Sequence, residues 1–295
     1  MAVDERNFRS AYYEKVGFKS VEEKKSLEIL LKEKTLDRVK LKQFCLRFSV
    51  PSVYRNLVWK VLLDIIPPHV NCHPFVMDQR RQECKNMIHS LHVMRVVDST
   101  MSKPQLMYAM YLLQTKKLRF SVNLRVENGF TQIVQSLQQF FEDDADLYWL
   151  AKCLYANTQR FKQDIPKLIE ATNALLEKED STLYKHLKKC EIINDFLIER
   201  WFDSSFAGLL KETALARIWD KLCGGSCSIL VFVVIILLTN QRHKLLRCTD
   251  SRNAMECISN LPEETAEIIA NKAIEMWQQH GSPLTVHDKP KPANT

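Results

Sequence analysis

Apolar residues recur along most of this chain every three to four positions, the spacing of helices with one buried face, but one stretch is apolar throughout. From Ile229 to Leu238 the chain reads Ile-Leu-Val-Phe-Val-Val-Ile-Ile-Leu-Leu. As a helix this run covers about 15 Å, half of the roughly 30 Å hydrocarbon core of a bilayer, so it is no transmembrane segment. Its β-branched residues lean towards strand, and periodicity alone does not separate the two in so short a run. The flanks decide for helix. Gly224-Gly225 supplies the stop of a preceding helix, and Ser226 or Ser228 offers a hydroxyl N-cap for the next. No other stretch alternates as a pairing strand must. A helix apolar on every side belongs at the centre of a sizeable helical domain. Burying its side chains at ~1.5–3 kcal/mol each makes it the strongest single driver of folding.

The remaining pattern predicts helices almost from end to end. Ser20-Val-Glu-Glu23 has capping-box spacing ahead of Leu27, Leu30 and Leu31. Thr35 reads as the cap of a second helix with Leu36, Val39, Phe44 and Phe48 facing inward. Pro51 opens a third, which runs to about Ile66 before Pro67-Pro68 ends it. Helices over 75–97 and 104–115 follow, then a basic loop from Lys116 to Asn128. Further helices are predicted from Gly129 to the mid-140s, from Leu147 to about Phe161, from Pro166 to Leu176, and over 181–190 and 192–202. After the central pair come Ala254 to Leu261 and Glu263 to Gln279, the latter with acidic residues at its N-terminus, where the helix dipole favours them. Phe8, Tyr12, Tyr13 and Phe18 form an aromatic set suited to docking the N-terminal segment. The tail from Gly281, with Lys289-Pro-Lys-Pro292, is expected to be disordered.

Composition narrows the picture. Six glycines in 295 residues, against about twenty at average usage, argue against nucleotide-binding α/β folds and turn-rich β folds. The nine cysteines are odd in number and scattered, with no C-x-x-C pair, which reads as reduced thiols in the cytosol. A formal charge of +7 is spread along the chain, so nucleic acid is not implied. His69, Cys72, His73, Cys84 and His89 make no opposed ligand pairs, so neither a metal nor a cofactor is expected. Glu142-Asp-Asp-Ala-Asp146 reads as a solvated turn carrying a helix N-cap. Lys185, Lys188, Lys189 and the run from Arg242 to Arg247 read as exposed helix faces.

Arg55 and Trp59 stand four apart on the Pro51 helix, which places guanidinium and indole on one inward face, with the charge reading as satisfied by helix-end carbonyls. The block Val50-Pro51-x-x-x-Arg55-x-x-Val58-Trp59 resembles the opening motif of TBC domains, helical domains typically found in GTPase-activating proteins for Rab GTPases. Tyr148-Trp149, Leu183-Tyr-Lys-His-Leu187, Trp201-Phe202 with Phe206, and Arg217-Ile-Trp-Asp220 ahead of Gly224 to Phe232 resemble the family's second half in order and spacing. The resemblance implies an all-α fold: a single TBC-type helical domain over 48–245, with an N-terminal helical extension over 1–47. C-terminal helices over 246–280 would pack on that domain, and 281–295 would form the tail. It also implies a structural motif made of Arg55, Trp59, Trp149, Trp201, Arg217, Trp219 and Asp220.

In active members of the family, an arginine from an I-x-x-D-x-x-R block neutralises the transferring phosphoryl group and a glutamine from a Y-x-Q block orients the attacking water. An arginine finger is worth roughly 10³–10⁵ in rate. None of the eight tyrosines here is followed two positions later by glutamine, and the residue three after Asp98 is Met101. Phe75-x-x-Asp78-x-x-Arg81 is a partial match that comes early, and Arg95, Arg119 and Arg125 are further candidates. The chain is therefore expected not to be an enzyme; a Rab GTPase-activating protein with displaced fingers is the competing reading.

Segments outside the generic domain carry a closer likeness. Asn7-Phe-Arg-Ser10, Tyr12 to Phe18, Val21 to Leu31 and Ala273-Ile-x-x-Trp277 resemble a small family member that acts as a subunit of the tuberous sclerosis complex beside hamartin and tuberin. That resemblance implies direct binding to the hamartin coiled coil by a helix-in-groove contact, indirect association with tuberin, and support of GTP hydrolysis by Rheb and hence of mTOR restraint. It also implies contact with a Rab or Rheb GTPase as an open question, and a cytoplasmic protein recruited to lysosomal or vesicle membranes through the complex.

Overall fold

A computed structural model describes residues 21–288 except Phe120, Phe196, Leu197 and Asn260. The N-terminal aromatic set and Ser20 lie outside the described residues. The described residues form helices without a strand; Thr35 and His69 make an isolated antiparallel bridge. The helices are α1 (Val21–Lys32), α2 (Arg38–Arg47), α3 (Ser52–Leu62), α4 (His73–Val93), α5 (Lys103–Gln114), α6 (Gly129–Leu137), α7 (Asp144–Arg160) and α8 (Ile165–Glu179). They continue as α9 (Ser181–Lys189), α10 (Ile192–Asp195), α11 (Ile198–Asp203), α12 (Glu212–Gly224), α13 (Ile229–Asn240), α14 (Arg242–Leu245), α15 (Ser251–Ser259) and α16 (Glu263–Gln279).

The apolar run lies in α13 at the centre. Every side chain from Ile229 to Leu238 is buried except Ile236, which is half-buried. Helices α8, α12 and α16 pack around it and α14 meets it as well, which is the environment that a helix without a polar face requires. Gly225 ends α12 at φ 106°, a left-handed conformation that costs glycine little and a residue with a Cβ much more. The expected hydroxyl cap of α13 is not made. Ser228 holds the N-cap position with helical backbone and no side-chain cap bond, while Ser226 Oγ donates instead to Pro283 O.

Other boundaries differ from the pattern's prediction for local reasons. Asp37, not Thr35, caps α2: its carboxylate accepts from the Val39 and Lys40 N–H groups at 3.0 and 3.1 Å. Thr35 bonds His69, and Val39 faces water at 65% exposure. Helix α3 stops at Leu62 because Asp64 turns left-handed, at φ 60°; Ile65 and Ile66 then donate back to Lys60 O, in line with proline's exclusion of helix at the residue before it. The segment Gly281 to Asp288 does not hang free. Cys227 and Ser228 donate backbone N–H bonds to Leu284 O, Trp277 Nε1 donates to Pro283 O, and Asp288 accepts from the Leu284 and Thr285 N–H groups.

Candidate functional site

Helix α12 carries an acid on its inward face, and the Pro51 turn is built around it. Asp220 is fully buried. Its Oδ1 accepts from Trp59 Nε1 at 2.8 Å and Arg55 Nε at 3.2 Å, and its Oδ2 from the Val50 N–H at 2.9 Å and Arg55 Nη2 at 3.3 Å. A carboxylate in an apolar interior is tolerable only when it is paired and its lone pairs are occupied; four donors do both here. Arg55 Nη2 also donates to Val50 O, and the guanidinium lies 5.6 Å from the Trp59 ring centroid. Trp59 in turn packs 6.1 Å from Trp219, whose Nε1 donates to Ser205 O. The next residue, Lys221, is also buried and donates to Cys45 O and Phe48 O, both at 2.7 Å. There its charge meets the carbonyl end of α2, as the helix dipole favours. Two adjacent residues of α12 thus fix both α2 and α3.

The other singled-out residues are spread around this centre. Trp149 donates to Arg80 O and has the Arg80 guanidinium 4.0 Å and the Lys152 ammonium 4.5 Å from its ring. Trp201 is buried 6.3 Å from Phe206. Arg217 stands apart, donating to Asn271 at the surface. The acidic run is less solvated than its composition suggests: Asp143 caps α7, but Asp146 is buried, ion-paired with Lys60 and accepting from Asn56. Burial pushes the Asp143 carboxyl upward in pKa, yet the Asp146 N–H and Arg81 outweigh burial and hold it below the ordinary carboxylate value. No group of metal-ligating side chains capable of holding an ion exists among the described residues.

Of the candidate finger arginines, Arg81 is drawn to Asp143 and Asp78 and Arg125 to Asp98. Arg95, Arg119 and Arg125 gather at one cleft of about 720 Å³, in which Met101 also takes part. A second cleft, of about 660 Å³, lies between α6, the turn at Gly208 and the starts of α12 and α16.

Over residues 123–246 the chain matches the Rab-GTPase-TBC domain. Proteins called TBC1 domain family member 7 from Bos taurus and Homo sapiens are each 40% identical to it, over 95% of this chain and 97% of theirs; that of Danio rerio is 38% identical over the same shares. The chain belongs to the TBC-domain family. The TBC fold is seen equally in solved structures. The Ypt/Rab-GAP domain of Gyp1p superposes with a TM-score of 0.63 at 16% identity, covering 88% of this chain and 98% of that one. The Chlamydomonas flagellar RabGAP TBC domain gives 0.52 at 17%, covering 86% and 85%.

Phe130-Thr131-Gln132 departs from the family's Tyr-x-Gln pattern only in its first residue. Phe130 is fully buried with Tyr111 stacked 4.9 Å away. Gln132 is half-buried, donates to Glu127 Oε1 at 3.4 Å, and lines the 660 Å³ cleft together with Glu127, Lys211, Glu212 and Glu263. No arginine lines that cleft, and its three carboxylates oppose a phosphate there.

Proposed function

We propose that this chain is a non-catalytic TBC-domain subunit that binds the hamartin coiled coil and stabilises the hamartin–tuberin assembly, supporting GTPase activation of Rheb and restraint of mTOR signalling. The observation that carries this reading is the extent of the match: 40% identity runs over 95% of the chain, through the segments outside the 123–246 match as well as within it. One feature supports the absence of catalysis: Gln132 sits among carboxylates, with no guanidinium lining its cleft. In this account the protein is cytoplasmic and reaches lysosomal or vesicle membranes through the complex.

A helix-in-groove contact with a coiled coil needs apolar side chains exposed at the docking surface. Helix α4 has 21 residues and carries Phe75, 68% exposed, in its first turn. Phe75 is therefore the anchor assigned to hamartin. Titration of labelled hamartin coiled coil with wild-type and Phe75→Asp protein tests this. At least ~10-fold weaker binding by the variant, about 1.4 kcal/mol, is expected; equal binding removes α4 from the interface, and no binding by either protein removes the subunit reading.

A further inference from the structure

We propose that the 720 Å³ cleft at the C-terminal end of α4 is a docking surface for an acidic, amphipathic segment of a partner protein, distinct from the hamartin contact and not dependent on it. The cleft forms where the ends of α4 and α5 meet the loop that follows α5. Its floor is apolar, made of Val96, Met101, Leu113, Leu118 and Val122, all half-buried and packed on the core. Its rim is cationic: Arg95, Lys116, Arg119 and Arg125 are exposed. Asp98 engages Arg125 at 3.4 Å. Among the described residues, no carboxylate pairs with Arg95, Lys116 or Arg119.

The backbone adds a second observation. Arg95 and Lys116 end α4 and α5 in the left-handed region, at φ 56° and 59°. Glycine is the low-cost residue at such helix ends, and here both positions instead hold long cations at the mouth of the same cleft. Charge complementarity therefore selects an acidic ligand, and the recessed floor selects one with an apolar side chain to insert. A lipid surface is the poorer fit, because membrane-binding faces project their apolar groups and this cleft withdraws them behind charge. A helix of 21 residues spans about 30 Å, so the cleft stands roughly that far from Phe75 at the other end of α4.

The test is fluorescence anisotropy of a labelled helical peptide, with two leucines one turn apart flanked by glutamates, titrated with the full chain. Saturable binding is expected, weakened by salt. It should be reduced about tenfold or more by Arg95→Glu/Arg119→Glu and by replacing the peptide's leucines with alanine, and left unchanged by Phe75→Asp. Lys116→Glu serves as an independent charge reversal, and melting curves verify that each variant is folded. The proposal is overturned by absence of saturable binding at low salt, by unaltered affinity in the folded charge-reversed variants, or by equal binding of a lysine-flanked peptide. Capture of phosphatidylserine vesicles without peptide binding overturns it too.

Discussion

Replacing Asp220 by alanine should destabilise the protein more than any other single substitution of a charged residue described above. The change removes the acceptor of four hydrogen bonds, from Val50, Trp59 and twice from Arg55. It leaves a guanidinium that is 9% exposed with only Val50 O as partner. Breaking a buried pair from one side costs about 3–5 kcal/mol, a large share of the ~5–15 kcal/mol that holds an ordinary domain folded. Urea unfolding followed by tryptophan fluorescence reads this directly, because Trp59 and Trp219 lie within the network. At a slope near 3 kcal/mol per molar urea, the midpoint should fall by at least ~1 M. The double variant Arg55→Met/Asp220→Leu, which removes both charges and refills the space, should lie closer to wild type than Asp220→Ala does. Arg217→Ala, which loses only a surface bond to Asn271, should stay within about 0.5 kcal/mol. A loss below ~1 kcal/mol for Asp220→Ala, or no recovery in the double variant, would refute the view that Arg55 and Asp220 exist to satisfy each other.

Further outcomes follow from other parts of the molecule. Gly225→Ala should cost about 1–2 kcal/mol in the same assay, since φ is 106° there although the space around the new methyl is empty; an unchanged midpoint would contradict the strain argument. Burial pushes the Cys84 thiol up to about 12 and the fully buried Cys223 thiol well above its ordinary value. Their folded pKa values are raised, so the stability they contribute is complete below the unfolded value of 9.0 and is lost as pH rises from there towards the folded value. Each thiol then removes about 1.4 kcal/mol per pH unit, measurable as a falling urea midpoint above pH 9 that Cys84→Ala makes less steep. At neutral pH, iodoacetamide followed by peptide mass spectrometry should label exposed Cys72 far faster than Cys84 or Cys223; equal labelling would show that the core opens readily.

The fold was largely readable because one signal dominates it. A ten-residue apolar run between a glycine pair and a polar end leaves few alternatives to a central helix, and that is where α13 lies. Segments whose ends depend on a single side chain were read less well. Nothing in local spacing distinguishes Thr35 from Asp37 as a cap, and the left-handed turn at Asp64 that ends α3 has no glycine to announce it. The ordering of Gly281 to Asp288 depends on Trp277, Ser226 and Cys227, partners that a polar, proline-containing stretch gives no reason to expect. At the site, the sequence singled out Arg55, Trp59 and Asp220 but paired the arginine with carbonyls. The carbonyl it does meet, Val50 O, lies in the turn between α2 and α3 and not at a helix end; the ion pair with Asp220, 165 positions away, is a long-range contact that periodicity does not encode. Gln132 escapes the pattern for a simpler reason: two positions before it stands phenylalanine where the family pattern has tyrosine.

The central claim is that this TBC domain binds without catalysing. Single-turnover GTP hydrolysis by a panel of Rab proteins and by Rheb, with and without a stoichiometric amount of the chain, measures it most directly. Rates equal to the intrinsic ones are expected for wild type and for Gln132→Ala alike. Acceleration of any one Rab by ~10³ or more, lost in Gln132→Ala or in Arg119→Ala, would contradict it and establish a working pair of fingers.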